Sequence, residues 1–183
     1  LFWLFLTTVP AVVGGLCFHD FIKARLFSPA TIAIALGVGG ALMIVLERWL
    51  PSHDEGGVDE LGWKRALGVG LFQCIAMVPG TSRSMATILG GRLMGLGRKT
   101  AAEYSFFAAV PVLLLAGAYD LYKGWDSLQR SDLMPYAIGL VVSFFVARLA
   151  IRWMMRIISH HTFEGFGWYR IALSLVVWGT LVR

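Results

Sequence analysis

Long apolar stretches alternate with short polar connectors along this chain. Residues 1–18 carry no charge before His19, and Pro10 marks an expected kink. Residues 26–46 form a charge-free run of 21 residues, enough for a helix to cross a bilayer. Gly37, Gly39 and Gly40 give that run a small-residue face on which another helix can pack closely. Three further apolar runs follow at 104–119, 133–147 and 165–182, the last with Arg170 near its start. Between the second and third long runs lie two shorter ones, 66–78 and 85–97, of 13 residues each. Neither reaches the ~20 residues of a helical span. They are joined across Pro79-Gly80, which predicts a re-entrant hairpin over about 66–97 that enters the membrane, turns near its middle and leaves on the same side. Backbone that is not helical is tolerated at such depth only inside protein or beside a wet cavity. The pattern predicts an all-α, polytopic integral membrane protein, with about five transmembrane helices plus the hairpin in a single domain, 1–183.

Composition agrees. The chain is 57% hydrophobic and only 15% charged, against about a quarter charged in soluble domains, and its mean hydropathy is +0.71. The net charge of +5 does not indicate nucleic acid, because the basic residues sit at the ends of apolar runs, as membrane flanks do. With the hairpin returning to its own side, ten basic residues fall on one face: Arg48, Lys64, Arg65, Arg92, Arg98, Lys99, Arg148, Arg152, Arg156 and Arg170. Five fall on the other: Lys23, Arg25, Lys123, Arg130 and Arg183. The richer face is expected to be cytoplasmic, which puts the C-terminus outside. Cys17 and Cys74 lie in apolar runs and read as small buried hydrophobes. The carboxylates Asp54, Glu55, Asp59 and Glu60 read as a solvated connector, and His160-His161 as an interfacial pair without a third metal ligand. The chain starts at Leu1 with no basic leader, and the expectation is that an N-terminal part precedes it.

The chemistry concentrates at residues 77–91, MVPGTSRSMATILGG. Pro79-Gly80 breaks one helix, and Thr81 or Ser82 is suited to cap the next. A helix N-terminus offers free N–H donors to an anion. Arg83 adds a planar cationic fork, Ser82, Ser84 and Thr81 add hydroxyls, and Thr87 follows one helical turn later. An arginine at membrane depth costs at least ~2.5 kcal/mol, so an offset is needed. A lipid phosphate would supply it, and so would a carboxylate from another segment. Spacing alone leaves open whether such a phosphate is hydrolysed, transferred or moved by a flippase or anion transporter.

PGTSRSMATILGG resembles the PGxSRSGAT segment of the undecaprenyl-pyrophosphate phosphatases, the bacitracin-resistance membrane family. TTVPAVVGGLCFHDFIK, LFQCIAMVPGTSRS, AAEYSFFAAVP and DLYKGW follow that family's order and spacing. Met85 stands where the family has Gly, and the family's other signature, a Glu-rich segment ending in Ser and His, belongs upstream of Leu1. The resemblance implies hydrolysis of undecaprenyl pyrophosphate to undecaprenyl phosphate in the bacterial cytoplasmic membrane. This recycles the carrier for peptidoglycan synthesis and confers bacitracin resistance. It implies a divalent cation, Mg or Ca, whose ligands this sequence does not reveal. Carried onto this chain, it makes Arg83 the clamp on the pyrophosphate, with Gly80, Thr81, Ser82 and Ser84 around the phosphate. Ser82, Ser84 and Thr87 would hold its oxygens or the attacking group, and the nucleophile and general acid–base groups would lie upstream. The expected partners are the lipid pyrophosphate, membrane lipids and a second copy of the chain.

Overall fold

A computed structural model describes residues 2–50, 57–58, 61–125 and 128–182, with the backbone alone at Leu16, His19, Asp20 and Lys23. The connector carboxylates Asp54, Glu55, Asp59 and Glu60 lie outside the described residues. All regular structure among the described residues is helical: α1 (Phe2–Arg25), α2 (Pro29–Trp49), α3 (Gly62–Ile75), α4 (Arg83–Leu93), α5 (Arg98–Gly124), α6 (Leu133–His160) and α7 (Glu164–Leu181). A 3-10 turn, Arg130–Asp132, leads into α6. The helices run further than the apolar stretches that announce them. α1 continues through Pro10 to Arg25, and α5 gathers charged residues at both ends. Backbone hydrogen bonding does not stop where side-chain polarity changes.

Among the described residues, three helical stretches are long and apolar enough to cross a membrane: Pro29–Trp49, Arg98–Gly124 and Arg130–His160. α1 is apolar over the shorter stretch Phe2–Gly15, and α7 carries Glu164 and Arg170 in its 18 residues. The glycine face expected on α2 is where α7 packs. A Cβ on Gly40 would stand 2.6 Å from the Gly167 carbonyl, and one on Gly167 would stand 2.8 Å from the Gly40 carbonyl. Glycine at both positions lets two backbones touch. Ser174 on α7 donates to the Ala33 carbonyl at 2.6 Å across the same seam.

α3 packs on α1 and α4, and α4 also packs on α5 and α2. The core gathers around α4, whose residues 85–92 are all buried. Met85, Ile88 and Leu89 meet Met43 of α2, Val69 of α3 and Ala101 of α5. One end of the bundle is tied by charge. Arg98 reaches Glu47 at 2.6 Å, Arg92 donates to the Leu50 carbonyl at 3.0 Å, and Arg48 forks onto Glu164 with two bonds of 3.1 Å. The C-terminal ends of α2 and α4 and the N-terminal ends of α5 and α7 therefore lie together.

Two readings of single residues change. Cys17 is exposed and Cys74 half-buried. An apolar run in a membrane helix faces lipid as readily as protein, so apolar surroundings in sequence do not imply burial in the fold. Arg170, counted above with one basic face, is only 9% exposed and lies inside the bundle. Without it the asymmetry falls from ten-to-five to nine-to-five and keeps its sign.

Candidate functional site

The break between α3 and α4 is built by residues 76–82. Ala76, Met77 and Val78 close the end of α3 through bonds of 3.1 Å to the carbonyls of Gln73, Cys74 and Ile75. Gly80 then turns the chain with φ +91°, where a Cβ would strain the backbone and sit 2.6 Å from the Ile32 carbonyl. Ile32 lies within the first two turns of α2. The turn therefore sits near the N-terminal end of α2 rather than at its middle. α3 starts earlier than the apolar pattern suggests, and the non-helical residues 76–82 extend the reach.

Arg170 holds this turn from the other side. Its Nη2 donates to the Gly80 carbonyl at 2.9 Å and to the Ala35 carbonyl at 3.3 Å, joining α7, α2 and the turn. Gly39 makes room, since a Cβ there would stand 2.7 Å from that nitrogen. A guanidinium thus answers a carbonyl that the broken helix leaves without an intrahelical donor.

Ser82 caps α4, its Oγ accepting from Met85 N at 3.4 Å and lying 3.1 Å from Ser84 Oγ. Helix capping near Ser82 was legible in sequence, and the two serines do meet at the helix tip. Thr81 is buried and faces an apolar cavity between α2, α3 and α4. Thr87 donates to the Arg83 carbonyl at 2.9 Å, with Ser105 Oγ of α5 2.6 Å away. That hydroxyl, 1% exposed as a residue, ties α4 to α5 rather than facing the site. Ser105 was not singled out in the sequence, since a lone serine in an apolar run carries no periodic signal.

Arg83 lines a cleft of about 860 Å³ between α1, α3 and α5. Its Nη1 is buried and has no hydrogen-bond partner among the described residues. Gln73, which is 3% exposed, lines the same cleft. Its amide nitrogen and oxygen are both buried and unpartnered among the described residues. Leaving a buried polar group unpaired costs roughly 1–3 kcal/mol, and two such residues line this cleft. A single polar residue within LFQCIA was the available signal for Gln73. The cleft reaches Tyr119, Asp120 and Lys123 near the end of α5, away from the end tied by Arg98. Lys123 lies 4.8 Å from the Tyr119 ring centre. Among the described residues no three His, Cys, Asp or Glu side chains come together. The described lining of the cleft offers one carboxylate, Asp120, together with two cations, Arg83 and Lys123. One carboxylate is too small a donor set to hold a divalent cation by itself.

The sequence matches known proteins along nearly its whole length. The family model described as bacitracin resistance protein BacA matches residues 1–176. The chain is 52% identical to the undecaprenyl-diphosphatase of Aromatoleum aromaticum over 97% of its own length and 65% of the relative's. It is 48% identical to that of Ectopseudomonas mendocina over 98% and 65%, and 48% identical to that of Nitrosospira multiformis over 95% and 64%. The chain thus spans a little under two thirds of the length of these curated relatives. With a matching family model, these identities and an all-helical architecture that includes membrane-length helices, the chain belongs to the bacitracin resistance protein BacA family.

Proposed function

We propose that this protein is a membrane phosphatase that hydrolyses undecaprenyl pyrophosphate to undecaprenyl phosphate and inorganic phosphate. The observation that carries the reading is the buried, unpartnered Nη1 of Arg83 on the wall of the cleft, at the first residue of α4. A pyrophosphate would offset the desolvation of that charge and accept from the fork of its guanidinium. Ser82 and Ser84 would add neutral donors, and the N-terminal end of α4 would add the partial positive charge of its helix dipole. Phosphoryl transfer draws most of its acceleration from such positioning and charge stabilisation. The names of the relatives at 48–52% identity support the substrate. The cleft, lined on one side by the membrane-length helix α5, suits a phosphate that arrives on a lipid.

The protein would sit in the bacterial cytoplasmic membrane with its C-terminus outside. α3 and α4 would form the re-entrant hairpin, both leaving the tip toward the end tied by Arg48, Arg92 and Arg98. If that basic end is cytoplasmic, the mouth at Asp120 and Lys123 opens on the other side. The test is release of inorganic phosphate from undecaprenyl pyrophosphate by the protein in detergent, with lipid movement in vesicles measured alongside. Movement without phosphate release would overturn the phosphatase reading. Single cysteines at 92–100 and 128–132, placed in a background lacking Cys17 and Cys74 and labelled from outside intact cells, test the orientation. Labelling of 92–100 with protection of 128–132 would reverse it.

A further inference from the structure

We propose that Gln73 is a second ligand of the anionic group that Arg83 binds, its side-chain amide donating to a phosphate oxygen from the α3 wall of the cleft. The inference rests on the phosphate-site reading above and adds a contact that this reading did not contain. The buried stripe of α3 runs Ala66, Val69, Gly70, Gln73. The spacing is that of one helical face, and its last position calls for an apolar side chain. An amide stands there instead, 3% exposed, with neither polar atom hydrogen-bonded among the described residues. It does not contribute to closing the turn, which uses only its backbone carbonyl. The side chain lines the same cleft as Arg83, and Ala11, Gly15 and Ala76, which also line it, are small enough to leave the space open.

The two residues supply different chemistry from different helices. Arg83 brings a fixed charge and a planar fork from α4. Gln73 brings a neutral group with two N–H donors and one acceptor oxygen. A tetrahedral phosphate presents oxygens in several directions, and donors from α3 and α4 can reach different ones. A neutral donor adds hydrogen bonding without further charge, which keeps an anionic product from being held as tightly as a second arginine would hold it. The amide oxygen, which a phosphate oxygen would repel, remains free to accept from a water in the cleft.

The test compares Gln73→Leu, Gln73→Glu and Arg83→Ala in the purified protein. Four quantities are read: kcat and KM for phosphate release from undecaprenyl pyrophosphate, the melting temperature in detergent, and the rise in melting temperature caused by inorganic pyrophosphate. Gln73→Leu is expected to melt at or above the parent temperature, because it removes two unpaired buried atoms. It should lose about 10- to 100-fold in kcat/KM, the scale of one hydrogen bond to a charged ligand, and show a smaller pyrophosphate shift. Gln73→Glu should lose more, since a carboxylate repels the anion. A Gln73→Leu protein that melts lower yet keeps its kcat/KM and its pyrophosphate shift would overturn the proposal and make Gln73 a packing residue. If Gln73→Leu does not fold, Gln73→Glu decides by the same readouts, and parent-like kcat/KM in that variant is equally fatal. Arg83→Ala separates the two levels of inference. Loss of activity there with none at Gln73 removes only the Gln73 contact, whereas full activity in Arg83→Ala removes the phosphate site itself.

Discussion

α4 and α6 are opposites. α6 has 28 residues, is apolar along most of its length and buries a single residue, Ile158. Leu140 is 73% exposed, Leu149 70%, and Phe144 and Phe145 more than half. α4 has 11 residues, including two glycines, a serine, a threonine and two arginines, and eight of the 11 are buried. In water this order would be reversed, because apolar surface is driven inward. In a bilayer the solvent is itself apolar. An oily helix gains little by leaving lipid for protein, while a helix with polar side chains and broken ends gains a great deal. The helix that is unremarkable in hydropathy is thus the one that α2, α3 and α5 enclose, and it carries Arg83.

The largest expected effect that would sharpen this contrast is Arg83→Ala at the tip of α4. Loss of one preorganised donor to developing charge costs about 10²–10³ in turnover, and Arg83→Lys should also be poor because the fork is lost. Turnover per folded molecule, measured beside the melting temperature, checks it. A stable Arg83→Ala enzyme with near-parent turnover would mean that the buried charge serves packing alone. Next comes a matched pair, Leu89→Ala and Leu140→Ala. Leu89 is 6% exposed in the core, so truncation should cost about 2–5 kcal/mol. Leu140 faces outward, so the same truncation should stay within about 0.5 kcal/mol in detergent unfolding. Equal losses would show that α6 is covered by protein rather than lipid, and would break the comparison.

Arg170→Leu should cost about 1.5–3 kcal/mol, the value of a hydrogen bond from a charged donor. It should also lower turnover by loosening the turn before Ser82, and unchanged turnover with lowered stability would confine Arg170 to the α2–α7 seam. Smallest is Thr87→Val, which keeps shape and loses the hydroxyl between α4 and α5. It should cost about 0.5–1.5 kcal/mol of stability with turnover nearly unchanged, and a large loss of turnover at parent stability would return Thr87 to the reacting groups.

The apolar runs showed where the helices are because membrane helices are long and their polarity is written locally. The breaker Pro79-Gly80 and the cap at Ser82 were legible for the same reason, since turn and cap chemistry lies within a few residues. Arg83 stood out as a charge where charges are costly. Arg170 was equally visible but misread. It sits a few residues into its apolar run, where the sequence cannot distinguish a flank reaching for headgroups from a guanidinium reaching for the Gly80 carbonyl, 90 positions away. Gln73 and Ser105 were passed over because a single polar residue in an oily stretch has no pattern of its own.

The sequence alone determined the all-helical membrane architecture, the glycine seam on α2 and the hydroxyl-rich helix tip with its arginine. Each depends on neighbours within one or two helical turns, where hydrogen bonding, sterics and local hydropathy act. Tertiary structure decided which surfaces meet. It placed Thr87 against Ser105 and away from the cleft, set the turn against the start of α2, gave the Gly80 carbonyl to Arg170, and brought Gln73 of α3 to the same cleft as Arg83 of α4. These pairings join residues far apart in the chain. They are fixed by the need to satisfy buried polar groups where no water is available, a requirement that is met only once the helices have packed.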